Sequence, residues 1–524
     1  MSDGHAEMRT GVVQAVGAIG LATLASRILG YARDIALASV FGAGPLTDAF
    51  FVAFRIPNLL RRLLAEGALS TAIIPVFSET LARGGPGALT RTIRAVAGAG
   101  SLVLCAVAGL GIVLAPAIVT VMAPGWKADA ALFDLAVMLT RVMFPYLVLV
   151  GLAALAMGAL NTYHRFFTAA LAPAVLNVAM IAAVLGLASR LNPPILALAI
   201  GVLAGGLGQL LVQLPEVRRL GVPLVPALEW SHPALGQIAR RLWPAVFALA
   251  AVQVTVVVNT LLASLLQPGT VSYLYYADRV MEFPLGVFGI ALATAVLPRM
   301  SAHAARREDE PLRHTLGFAL RLSAFIAVPA ALGLVALGQP IVRLLLERGE
   351  FGAPEALRTA QALTGYAVGL PAFSATRIVA QTFYALGDTR TPVIVGFVAV
   401  AANVVFALLL MWPLEHLGLA LASSLSSYVN VVGLAWLLRR RLGALGTREL
   451  LRSLARTLAA SAALIAWCLS ARAAFGGGAL GTLAALLGGV AVYGIAAALV
   501  RAPELRDLLA MVRRRRTLPD GAGG

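Results

Sequence analysis

Lysine is almost missing from this chain: of its 41 basic residues, only Lys127 is a lysine. It stands in Gly125-Trp126-Lys127-Ala128 and lacks the Gly-Lys-Ser/Thr of a phosphate-binding loop, so no ATPase of that type is encoded. Cysteine is as scarce. Cys105 and Cys468 lie inside apolar stretches, where they read as small core residues rather than a disulfide framework. The six histidines scatter without a pair at metal-ligand spacing, so neither a metal nor another cofactor is expected. Charge of either sign is thin. Asp, Glu, Lys and Arg make up 12% of the 524 residues, against about 25% in a soluble domain. These shortages exclude a soluble enzyme, a secreted disulfide scaffold and a disordered hub.

Apolar sequence fills the space. Hydrophobic residues account for 60% of the chain and the mean hydropathy is +0.88. The formal net charge of +17 would suggest nucleic acid elsewhere. Here the cations are dispersed between long apolar runs, and no nucleic-acid partner is expected. A bilayer-crossing helix needs about 20 apolar residues. Fourteen stretches qualify: 12–42, 46–80, 95–123, 131–160, 166–189, 193–215, 236–266, 270–300, 314–338, 356–386, 391–412, 417–438, 452–472 and 477–500. The first carries Arg27, Arg33 and Asp34 and has no small-residue cleavage site after a compact apolar core, so it reads as a retained helix and not a signal peptide. The connections around 215–235, 300–313 and 338–355 are too short for a soluble domain.

Arginine in the connections orients the spans. With the N-terminus cytoplasmic, Arg83, Arg91, Arg94, Arg218, Arg219, Arg240, Arg241, Arg306, Arg307, Arg439 to Arg441 and the tail Arg513 to Arg516 share the inner side. The other side holds little beyond Lys127, Arg190, Arg343, Arg348, Arg358 and Arg472. This is a positive-inside asymmetry, and an even span count puts both termini in the cytoplasm.

The chain also repeats itself. Ala68-Leu69-Ser70-Thr71-Ala72-Ile73-Ile74-Pro75 returns as Ala291-Leu292-Ala293-Thr294-Ala295-Val296-Leu297-Pro298, 223 residues on. A weaker echo, Ala159-Leu160 with Asn177-Val178, returns as Ala385-Leu386 with Asn403-Val404 at an offset of 226. Both echoes shift by six spans, an even number, so the copies run the same way through the membrane. The expected fold is an all-α polytopic membrane protein of about 14 transmembrane helices, with two parallel-repeat six-helix lobes and two C-terminal helices left over. The boundaries are 1–222 for the first lobe, 223–445 for the second, 446–502 for the extra helices and 503–524 for a basic tail.

Ionisable groups inside a span cost about 2.5–3.5 kcal/mol each on insertion scales, so they turn to a bundle interior or a wet cavity. Arg27 and Asp34 lie seven residues apart on one face of the first span, with Arg33 beside them. The second span holds Asp48, Arg55, Arg61, Arg62 and Glu66, and its repeat partner holds Asp278, Arg279 and Glu282. Structural ion pairing explains some of these, Arg55 with Asp48 and Arg62 with Glu66 above all. Arg27, Arg33, Arg61 and Arg279 have fewer local partners, and the guanidinium fork suits phosphate. Arg141, Arg321 and Arg377 sit near span ends and read as snorkelling side chains.

Several of these runs resemble one family. Ser26-Arg27-Ile28-Leu29-Gly30 with Arg33-Asp34, Asp48-Ala49-Phe50, and Arg55-Ile56-Pro57-Asn58-Leu59-Leu60-Arg61 are similar to the lipid II flippases, the MurJ/MviN-type proteins of the MOP exporter superfamily. So are Glu66-Gly67-Ala68-Leu69-Ser70, Tyr276-Ala277-Asp278-Arg279-Val280 and Gly387-Asp388-Thr389-Arg390-Thr391-Pro392. The resemblance implies a bacterial inner-membrane transporter, not an enzyme, that moves the undecaprenyl-diphosphate-linked peptidoglycan precursor outward through a central cationic cavity. It implies head-group binding by Arg27, Arg33, Arg61 and Arg279, with Ser26 and Ser272 as polar lining. Asp34, Asp48, Arg62, Glu66 and Glu282 become gate or ion-pair residues. The two extra helices would line a groove for the polyprenyl tail. Membrane lipids and peptidoglycan synthases are the implied partners. Some members bind a cation through acids in spans 7 and 11; here span 7 offers Gln253 and Asn259 and span 11 offers Asn403, with no acid. A flippase for another polyprenyl-diphosphate-linked glycan is the alternative.

Overall fold

The computed structural model describes residues 2–61, 69–222, 225–476 and 478–516. Among these residues the only extended pairing is an isolated bridge between Arg348 and Phe351; the rest is helix and connection. That is the required solution for apolar sequence in lipid, because a helix satisfies its backbone groups internally. The chain runs α1 (Ser2–Phe41), α2 (Pro45–Arg61), α3 (Leu69–Val113), α4 (Ala115–Met122), α5 (Ala130–Met143), α6 (Tyr146–Thr162), α7 (Phe167–Leu187), α8 (Leu196–Arg219) and α9 (Pro233–Ala263). It continues through α10 (Thr270–Pro284), a wider π turn over Leu285–Ile290, α11 (Ala291–Ala305), α12 (Asp309–Leu346), α13 (Ala353–Ala385) and α14 (Arg390–Leu442). Last come α15 (Thr447–Phe475), α16 (Ala479–Leu499) and α17 (Pro503–Arg516).

The described part of each of the fourteen stretches falls on helix. Eight helical runs among the described residues are long and apolar enough to cross a membrane. The two counts differ partly because long helices hold two stretches each. α3 turns at Gly85, where φ is 69°, and α14 turns at Glu415, where φ is 48°. α2 has only 17 residues, and the π turn interrupts the run from α10 to α11.

The helix ends keep the repeat in register. α5 starts at Ala130 and α13 at Ala353; α6 ends at Thr162 and α13 at Ala385; α7 starts at Phe167 and α14 at Arg390; α8 ends at Arg219 and α14 at Leu442. Each pair is 223 residues apart. The left-handed turns follow suit, with His164 at φ 59° and Gly387 at φ 74°. The weaker echo, read at an offset of 226, is therefore three residues out of register with the helices that carry it.

Contacts divide the chain into two compact units. One comprises Met1–Ser272 with Arg348–Gly352, the other Tyr273–Glu347 with Ala353–Gly524. In the first unit, Ile73, Phe77, Leu89 and Ile93 of α3 pack with Leu155 and Leu160 of α6. Ala234 and Ile238 of α9 join the same cluster, so α9 goes with the first unit by packing although the repeat pairs it with α1. The short segment 348–352 belongs to this unit because it closes over the end of α1. Glu350 donates its N–H to the Ser39 carbonyl at 2.9 Å. Gly349 has φ +58°, and a Cβ there would stand 2.1 Å from the same carbonyl. Gly349→Ala is expected to lower stability by about 2 kcal/mol or more, read as a fall in melting temperature of the detergent-purified protein.

In the second unit, Val296 and Met300 of α11 pack with Leu312 and Leu316 of α12, Ile378 and Phe383 of α13, and Leu434 and Leu438 of α14. α15 and α16 join through α12, where the Tyr493 hydroxyl donates to the Phe325 carbonyl at 2.7 Å. α17 is tied down by Glu504, which accepts from the Ser453 hydroxyl at 2.7 Å. Cys468 is buried as expected of a core residue, whereas Cys105 is exposed on α3, a correction to that reading. On a helix that turns one face to lipid, an apolar setting in sequence does not imply burial in protein.

Candidate arginine clusters

In the first unit the charged residues of α1 divide into two kinds. Arg33 and Asp34 are buried. The Arg33 guanidinium donates to Asp34 Oδ1 from Nε at 3.0 Å and from Nη2 at 2.6 Å. Its Nη1 donates to Asn177 Oδ1 on α7 at 3.2 Å. Arg27, one turn and a half earlier, is exposed, and among the described residues it makes neither hydrogen bond nor ion pair. Ser26 beside it is half-buried, and its carbonyl accepts from Asn177 Nδ2 at 3.1 Å.

α2 places Asp48 in its first turn. Asp48 is buried and pairs with no arginine among the described residues. Its carboxylate instead accepts the Gly269 N–H at 2.6 Å, the Ser272 N–H at 2.8 Å and the Ser272 hydroxyl at 2.6 Å. These are donors from the start of α10, where helical N–H groups have no partner of their own. The Arg55–Asp48 ion pair offered by the sequence is thus replaced by a cap on a distant helix. Ser272, expected as polar lining, is fully buried in that cap and also reaches Thr47 at 3.0 Å. Arg61, at the end of α2, donates to Asn58 Oδ1 at 3.1 Å. Arg62 and Glu66 lie outside the described residues.

In the second unit, Arg279 donates to Glu282 Oε2 at 2.7 Å, one turn on in α10. It also lies 5.6 Å from the Tyr275 ring centroid, a cation–π distance. Arg377 of α13 is within electrostatic reach of Glu282 as well. Arg321, read as a snorkelling side chain, pairs with Glu449 of α15 at 2.9 Å. Arg141 donates to the Ile112 carbonyl at 3.3 Å.

Sequence reasoning passed over Asn177, whose only signal was its place in the weaker echo, and over Glu449 and Glu504, which meet Arg321 from a separate stretch of chain. Among the described residues, no three His, Cys, Asp or Glu side chains come together to hold a metal ion. The clusters combine guanidinium donors with carboxylate acceptors, Asp34 and Glu282, and neutral ones, Asn58 and Asn177.

Comparison with known proteins supplies the context. A family profile described as "Lipid II flippase MurJ" matches residues 37–487. The "Probable lipid II flippase MurJ" of Vibrio cholerae is 36% identical over 514 residues, covering 93% of this chain and 96% of that protein. The "Lipid II flippase MurJ" of Burkholderia cenocepacia is 39% identical over 427 residues, covering 80% and 82%. Among solved structures, one titled "Lipid II flippase MurJ, inward closed conformation" superposes with a TM-score of 0.78 at 24% identity, covering 94% of this chain and 99% of that one. An inward-facing multidrug MATE transporter of the MOP superfamily superposes with a TM-score of 0.62 at 16% identity, covering 80% and 96%. At these identities the structural likenesses speak for the fold alone.

Proposed function

The chain belongs to the lipid II flippase MurJ family of multi-pass inner-membrane proteins, and on that footing we propose that it carries the undecaprenyl-diphosphate-linked peptidoglycan precursor from the inner to the outer leaflet by alternating access. The head group enters an Arg-lined cavity while the polyprenyl tail stays in lipid. The observation that carries this reading is Arg27, an exposed guanidinium without a polar partner among the described residues, on the same helix as the buried Arg33–Asp34 pair. A wet site with several guanidinium groups offsets much of the cost of drawing a diphosphate through hydrocarbon.

In this reading Arg27, Arg33, Arg61 and Arg279 bind the head group with Ser26, Ser272 holds Asp48 in place, and Asp34, Asp48, Arg62, Glu66 and Glu282 gate the head group or balance its charge. Residues 1–222 and 223–445 act as the two lobes, and 446–502 line the groove for the tail. Both termini are cytoplasmic, the basic tail 503–524 with them, and peptidoglycan synthases use the product. The anionic head group moves outward down a potential that is negative inside, a drive of about 2.3 kcal/mol per charge per 100 mV. Collapse of the potential is then expected to slow flipping.

The test is leaflet accessibility of labelled lipid II in cells depleted of their own flippase. Wild-type protein is expected to restore the outer-leaflet precursor, and Arg279→Ala to insert normally and fail. A wild type that inserts without restoring it points to another polyprenyl-diphosphate-linked glycan. Rescue by Arg279→Ala makes Arg279 structural.

A further inference from the structure

Asn177 of α7 is a neutral side chain that grips α1 at two points. Its Oδ1 accepts from Arg33 and its Nδ2 donates to the Ser26 carbonyl. The residue is 7% exposed, so neither end of the amide is readily served by water. The orientation is fixed by the partners, since the opposite one would set an NH2 against a guanidinium. Gly30 lies between the two contacts, and a Cβ there would stand 3.7 Å from Nδ2. Arg33 therefore turns one edge, Nε and Nη2, to a carboxylate, and the other, Nη1, to a neutral acceptor. Asp34 already balances the charge of Arg33, so a carboxylate in that second place would leave the cluster net negative and repel an anion. An amide holds the guanidinium in position yet yields to a stronger, anionic acceptor.

We propose that Asn177 is a positioning residue for anion binding: it keeps one edge of Arg33 aimed and exchangeable, and by holding the Ser26 carbonyl it fixes the turn of α1 on which Arg27 stands. This deepens, and rests on, the head-group role given to Arg27 and Arg33 above.

The experiment measures binding of lipid II to the full chain in nanodiscs, with hydrogen exchange of the α1 segment 26–34 as a second readout. Asn177→Asp is nearly isosteric, so a packing role alone would leave binding unchanged. It is expected to weaken binding about tenfold. The exchanged pair Asp34→Asn with Asn177→Asp again gives Arg33 one carboxylate and one amide, and is expected to recover binding to within about threefold of wild type. Asn177→Thr, which adds no charge, is expected to speed exchange in 26–34 and weaken binding. Asn177→Asp binding as wild type, or two stable single variants whose combination does not recover, overturns the proposal. If wild-type protein does not bind lipid II, the transport reading fails. Exchange in 26–34 still decides the clamp, and a rate unchanged by Asn177→Thr rejects it.

Discussion

Arg27→Ala is expected to cut lipid II flipping by about 10- to 100-fold, the loss of one or two charge-assisted hydrogen bonds to a phosphate, while leaving the fold intact. Among the described residues the side chain is exposed and makes no protein contact of a polar kind. Its removal therefore leaves no buried group unsatisfied and opens no cavity. The same cannot be said of Arg33, whose loss would strand Asp34 in the interior. The pair of variants thus separates two effects that a scan of arginines would merge. Arg27→Ala should melt with the wild type and fail in the leaflet assay; Arg33→Ala should fail in both. Arg27→Lys keeps the charge and loses the fork, and partial recovery is expected. An Arg27→Ala protein that flips at the wild-type rate removes the residue from the site.

Asp48→Ala should be the most destabilising substitution in α2. It deletes the acceptor for two backbone N–H groups and one hydroxyl at the start of α10. Hydrogen bonds to a charged group are each worth about 1.5–3 kcal/mol, and unmet donors add their own cost, so a loss of about 3–5 kcal/mol is expected. Asn at this position keeps one acceptor oxygen and should lose roughly half as much. Thermal melting of the purified protein measures both. A melting temperature unchanged in Asp48→Ala would show that water or a neighbouring group caps α10 as well as the carboxylate does.

What sequence could and could not reveal follows from the range of each interaction. Long apolar runs announce helices because lipid allows little else, so the described part of each of the fourteen stretches falls on helix. Arg279 and Glu282 are three apart, a spacing that brings side chains together on any helix, and they pair. Asp48 and Ser272 are 224 residues apart, and Arg33 and Asn177 are 144 apart. No periodicity reports such contacts. They depend on which helices pack together, and an Asp in an apolar span looks the same whether it will meet an arginine or the bare end of another helix. Arg321 shows the same limit: near a span end it reads as reaching for water, and the exposed Glu449 that it meets there comes from a separate stretch of chain, α15.

The 223-residue spacing that α5–α8 share with α13–α14, carried back to α1 and α9, exposes a lopsided inheritance of charge. Arg27, Arg33 and Asp34 correspond to Ala250, Val256 and Val257, and from Leu242 to its end α9 carries no ionisable residue. The offset of 223 is common to several helix ends; the ionic cluster of α1 is private to one copy. A duplicated scaffold of this kind has no internal spare for that cluster. The second copy of the helix, however alike in shape, offers nothing to which an anion displaced from the first could transfer.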